Sequence, residues 1–117
     1  MVNNGVDHYS GMFPMMFETH TNSIWTFSAQ SAQGYSTIYC DLTQQDLNKL
    51  TIDSNIAEGE MFLILIQDKY SKSIDLSGGA KNLSAEEMDL DMFNPGRISM
   101  RLKFNNAKDL SVNINWR

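Results

Sequence analysis

Two histidines, one cysteine and fourteen acidic residues are the chemical resources of this chain. Glu18 stands two residues before His20, which puts both on one face of an extended strand and makes a metal-binding pair conceivable. Zinc takes three or four ligands held by their own hydrogen-bonded supports, and neither His8 nor any other residue signals a third by its spacing, so the pair is expected to be exposed and functionless. Glu87, Asp89 and Asp91 form an acidic stripe that could offer oxygens to calcium, yet it lacks the oxygen ladder and turn glycine of a calcium-binding loop. It reads as a solvated strand face. Gly78-Gly79 lacks the spacing of a phosphate-cradling loop and reads as a flexible connection.

Nucleophilic chemistry is no better supplied. No GxSxG occurs, and Cys40 alternates with Ile38 and Leu42, the setting of a small buried hydrophobe rather than an activated thiolate. No catalytic residue, cofactor or metal is therefore expected. The best binding candidates are Tyr35, Tyr39 and Asp41, which share one strand face with Thr37, opposite Ser36, Ile38, Cys40 and Leu42. Tyrosines spaced along a strand can stack on sugar rings or peptide while a carboxylate accepts hydrogen bonds.

The elements that position these residues follow from size and pattern. A chain of 117 residues with 42% hydrophobic and 20% charged residues can build one packed core. A net charge of −5, with Lys and Arg scattered, argues against nucleic acid as a partner. The lone cysteine rules out an internal disulfide, and the longest apolar run, Met61 to Ile66, is strand-sized, so no transmembrane segment is expected. No Lys or Arg precedes Lys49, so no secretory leader is read at the N-terminus. The expected location is extracellular or at the cell envelope if a leader has been removed, and otherwise cytoplasmic.

Residues 1–22, rich in Asn, Gly and Ser and broken by Pro14, read as a loosely ordered arm or an edge strand, with the Met12 to Phe17 cluster packed on the domain. Residues 23–117 read as the domain proper. Ile98, Met100, Leu102 and Phe104 alternate with polar residues, and so do Leu110, Val112, Ile114 and Trp116. With Asn105 to Asp109 as a loop between them, the two runs predict a hairpin in which Phe104 faces Leu110 and Ile98 faces Trp116. Met88, Leu90 and Met92 predict a further strand before the turn Asn94-Pro95-Gly96, placing Asp89 opposite Arg101 and Glu87 opposite Lys103. Further strands are expected at Ile24 to Ala32, Tyr35 to Leu42, Leu50 to Ser54, Met61 to Gln67 and Ser73 to Leu76, with one helical turn at Thr43 to Leu47 and with Trp25 and Trp116 as core anchors. The sum is an all-β, two-sheet antiparallel β-sandwich of jelly-roll or immunoglobulin-like type with seven to eight strands.

Ile24-Trp25-Thr26-Phe27, Gly34-Tyr35, Glu58-Gly59 before an apolar strand, Asn94-Pro95-Gly96, and the ending Val112-Asn113-Ile114-Asn115-Trp116 together resemble small β-sandwich domains of secreted proteins and lipoproteins of Gram-positive bacteria. The resemblance implies a non-catalytic extracellular or envelope-associated module that binds a protein or a surface polysaccharide, with the arm as tether. Two alternatives are a carbohydrate-binding domain using Tyr35 and Tyr39, and a small acidic intracellular inhibitor of phage type whose acidic stripe mimics a nucleic-acid surface.

Overall fold

In a computed structural model, the backbone is described for residues 6–12 and the full chain for residues 17–116. His8 as a side chain, and residues 13–16 of the Met and Phe cluster, lie outside the described residues. In chain order the elements are β1 (Val6–Met12), β2 (Phe17–His20), β3 (Ile24–Leu42), α1 (Gln44–Lys49), β4 (Thr51–Gln67), β5 (Tyr70–Asp75), β6 (Gly79–Ser84), α2 (Ala85–Met88) and β7 (Gly96–Asn115). The protein is all-β, and hydrogen bonding joins the strands into one continuous antiparallel sheet.

Three long strands make its frame, in the order β3-β7-β4, and the two outer ones, β3 and β4, each carry a different short strand at either end. At one end β1 flanks β3 and β5 flanks β4; at the other β2 flanks β3 and β6 flanks β4. The predicted hairpin does not form. Ile98 to Phe104 and Leu110 to Ile114 are two stretches of the single strand β7, each paired with β3 on one side and β4 on the other. Likewise the runs on either side of Gly34 belong to one strand, as do those on either side of Glu58-Gly59.

The apparent turns are where these strands bend. The β3–β7 register shifts between Ala32 and Gly34, and the β4–β7 register shifts between Glu58 and Glu60. Both shifts meet β7 at Asn105 to Ala107, where Asn106 has a φ of 48° and its N–H is capped by Gln33 Oε1 at 2.8 Å. A β-bulge of this kind bends its strand and sharpens its twist. Gly59 sits against it with a φ of 87°, and a Cβ there would lie 2.1 Å from the Asn106 carbonyl oxygen, so only glycine fits.

The bend folds the sheet over. Phe104 lies eight residues before Val112, the β7 partner of Phe27, so on a straight strand Phe27 and Phe104 would be about 26 Å apart. Their rings stack with centroids 4.9 Å apart. The apolar faces of both halves thus meet in one core containing Trp25, Phe27, Ile38, Met61, Leu63, Phe104, Ile114 and Trp116, each at most 1% exposed. Both tryptophans anchor the core as expected, and Trp116 Nε1 donates to the Asn22 carbonyl at 2.7 Å.

Two short helices join the strands. The expected turn at Thr43 is α1, closed by a capping box in which Asp46 N–H donates to Thr43 Oγ1 and Thr43 N–H to Asp46 Oδ2. The strand expected at Met88 to Met92 is instead α2 and the loop after it. Ser84 and Glu87 form a second capping box there, and Asp89 ends the helix in the left-handed region. Met88 and Leu90 still bury their side chains while Met92 is exposed, because a capped turn can aim both inward as well as a strand can. No charge ladder to Arg101 and Lys103 exists, since these pair in register with Thr37 and Tyr35 of β3 and with Ile64 and Phe62 of β4.

Candidate functional site

Folding the sheet turns its two polar faces outward, on opposite sides of the core. In the half built from β2, β3, β7, β4 and β6, register aligns residues in rows across all five strands, and rows alternate between core and solvent. One inward row runs Glu18, Phe27, Val112, Ser54, Lys81. The solvent rows on either side of it are Thr19, Thr26, Asn113, Asp53, Asn82 and Phe17, Ser28, Ser111, Asn55, Ala80. These two rows line a shallow groove of about 610 Å³.

The groove is floored by short hydroxyl and amide side chains. At its edges the groups are already paired: Thr19 Oγ1 is hydrogen-bonded to Thr26 Oγ1, and Asn82 Nδ2 donates to Asp53 Oδ1. In the middle, Ser28, Ser111, Asn113 and Asn55 make no side-chain hydrogen bond with the described residues. Two hydroxyls and two amides thus offer donors and acceptors to a ligand without giving up internal bonds. Phe17 stands at the rim, 73% exposed, the most exposed large hydrophobic side chain among the described residues.

The sequence picked Tyr35, Tyr39 and Asp41 instead, and they lie on the outer face of the other half. On that face Lys103 of β7 lies in register between Tyr35 of β3 and Phe62 of β4, and Arg101 between Thr37 and Ile64, while Arg97 stands at the end of the row with β3 alone beside it. The Arg101 guanidinium lies 4.4 Å from the Tyr35 ring centroid, and that of Arg97 lies 5.9 Å from Tyr39. Arg101 Nε also donates to Thr37 Oγ1 at 3.0 Å, and Thr37 is only 2% exposed. One face of each tyrosine ring therefore carries a guanidinium. Asp41 is exposed at the end of the row, opposite Arg97.

Glu18 and His20 face inward from β2 and are half-buried, not exposed. Glu18 Oε2 accepts from Trp25 Nε1 at 2.6 Å and from Ser36 Oγ at 3.3 Å, and Ser36 lies beyond the bend, so this carboxylate ties the two halves. Burial raises its pKa, against the lowering effect of the Trp25 and Ser36 bonds. His20 packs edge-on to Trp116 with both ring nitrogens buried and unbonded, and burial lowers its pKa. Among the described residues no cluster of three or more potential metal ligands occurs. The Cys40 thiol is buried, with its pKa pushed up to about 12 mainly by burial and then by Asp41 and Asp46, which leaves it an inert core residue.

Sequence reasoning missed the groove. Its residues are the polar half of the same alternation that revealed the core, but single polar residues from five strands become neighbours only through register. No helix in the described residues is long and apolar enough to cross a membrane. The chain matches no protein-family model, and no curated protein is significantly similar to it in sequence.

Proposed function

We propose that the protein is a non-catalytic binding module of the secreted or envelope-associated kind, in which the doubled sheet serves as a two-layer sandwich and the groove holds a neutral, hydroxyl-rich glycan. The observation that carries this reading is the pair of solvent rows across five strands, whose central hydroxyls and amides have no side-chain partner among the described residues. Sugar hydroxyls need donors and acceptors at close intervals, and Ser and Asn side chains supply both. Phe17 at the rim offers an aromatic face to the C–H side of a sugar ring. Of the two acids that line the groove, Asp53 is held by Asn82, and Glu18 faces inward to Trp25 and Ser36, an arrangement suited to positioning rather than to acid–base work. The proposed location is the one implied by the resemblance read in the sequence to envelope domains of Gram-positive bacteria.

The test is binding of the full chain to an array of neutral glycans. A defined glycan should be retained, and Asn113→Ala with Asn55→Ala should abolish its binding while Tyr35→Ala with Tyr39→Ala leaves it intact. The reverse pattern moves the site to the tyrosine face, and no binding across the array defeats the glycan reading.

A further inference from the structure

We infer that the outer face of the half formed by β1, β3, β7, β4 and β5 is a second, separate binding surface, and that it docks an acidic segment of a partner protein that also carries apolar side chains. The inference does not rest on the glycan reading of the groove, which lies on the opposite side of the core. Its first support is charge. The chain has nine Lys and Arg against fourteen acids, yet Arg97, Arg101 and Lys103 stand in a row on the central strand of this one face. Among the described residues none of the three makes an ion pair, although Asp41 stands in register opposite Arg97. Along an extended strand Arg97 and Arg101 are about 13 Å apart, and Arg101 and Lys103 about 7 Å.

The second support is rigidity. Tyr35 and Thr37 hold the Arg101 guanidinium through the ring contact and the Nε bond, and its terminal nitrogens make no hydrogen bond among the described residues. A guanidinium fixed in this way loses little freedom when it takes up a carboxylate as a two-pronged hydrogen-bond donor. Arg and Tyr are also the side chains that protein interfaces favour as anchors.

The third support selects the class of partner. Beside the cations, β4 presents Phe62 and Ile64 in register with Lys103 and Arg101, both half-buried. Aliphatic and aromatic side chains next to a cation row complement a surface with carboxylates and apolar groups side by side, which acidic protein segments have. Nucleic acid and acidic polysaccharide supply the charge without the aliphatic contact, and the net charge of −5 opposes long polyanions.

The experiment uses the full chain and a short synthetic peptide with Glu and Leu on one helical face, alongside the same peptide with Gln in place of Glu. The Glu peptide is expected to bind, to weaken as salt is raised, and to outcompete both oligo-dT and polygalacturonate. Arg97→Gln with Arg101→Gln should weaken it by about tenfold or more, and Ile64→Thr by about threefold with the salt dependence kept. Lys103→Gln, at an exposed position with no side-chain hydrogen bond among the described residues, should weaken it without shifting thermal unfolding, which separates lost binding from lost folding. Equal binding by the Gln peptide or by the arginine variants overturns the proposal. So does tighter binding of oligo-dT or polygalacturonate, which assigns the face to that polyanion instead. Retention of neutral glycans by the arginine variants is expected and keeps this outcome distinct from any failure of the groove.

Discussion

The two halves of the sheet share three strands and one core, yet their outer faces have opposite characters. The groove half shows the solvent short, mostly uncharged polar groups with spare hydrogen-bonding capacity. The other half shows long cationic and aromatic side chains that already lean on one another. Strand pairing fixes only which residues become neighbours, so a single strand such as β7 can write one surface with Arg97, Arg101 and Lys103 and another with Ser111 and Asn113. The bend at Gly34, Gly59 and Asn106 then separates the two and lets both apolar sides close on the same core.

The contrast is broken most severely by cutting the contact between the halves. Phe104→Ala should cost about 3–5 kcal/mol in urea unfolding. A double-mutant cycle with Phe27→Ala should show about 0.5–1.5 kcal/mol of coupling, because the rings stack across the fold. No coupling would mean that the halves hold together without this pair. Gly59→Ala attacks the bend itself: the positive φ and the clash with the Asn106 carbonyl should together cost about 3 kcal/mol. Alanine at Gly78, which also has a positive φ but open space around its Cβ position, should cost about 1 kcal/mol.

Acid sharpens the comparison, because both groups with inward-facing, shifted titration on β2 belong to the groove half. His20 has a folded pKa below its ordinary 6.5, so the unfolded chain takes up its proton first, and the stability present above pH 6.5 is lost as pH falls from there through the folded pKa. Glu18 has a folded pKa above its ordinary 4.5, so its contribution has the opposite sense: it is full below pH 4.5 and lost as pH rises through the folded pKa. In unfolding measured against pH, His20→Gln should remove the loss that begins below 6.5 and leave the Glu18 trend; an unchanged profile would place the acid sensitivity elsewhere. The smallest stability effect is expected in the groove, where Asn113→Ala should stay within about 0.5 kcal/mol of the parent while ligand binding goes.

Much of this fold was legible in the alternation of the chain. Leu102 and Phe104, or Val112 and Ile114, could only be buried together if their strands were extended with one face on a core, and Trp25, Trp116 and Cys40 followed from the same pattern. A helical turn was read at Thr43 to Leu47, and the structure closes it with the Thr43 and Asp46 capping box. The hairpin was misread because Asn105 to Asp109 has the composition of a turn, and the residues that allow a left-handed backbone in a turn also allow it in a bulge. One sign was present in the sequence: Gly34, Gly59 and Asn105-Asn106 each interrupt an alternating run near its middle, as a shared line of bending across three strands requires.

The candidate sites were less legible for a different reason. Tyr35, Tyr39 and Asp41 were visible as one face because they lie on one strand, whereas the arginines over the tyrosines are about sixty residues away and the groove is assembled from five strands. By itself the sequence determined which side of each strand meets water, since burying apolar area outweighs every other local preference at about 25 cal/mol per Å². Which polar residues stand beside one another was decided only by tertiary structure, because long-range register and the bend set those distances, and neither leaves a periodic trace along the chain.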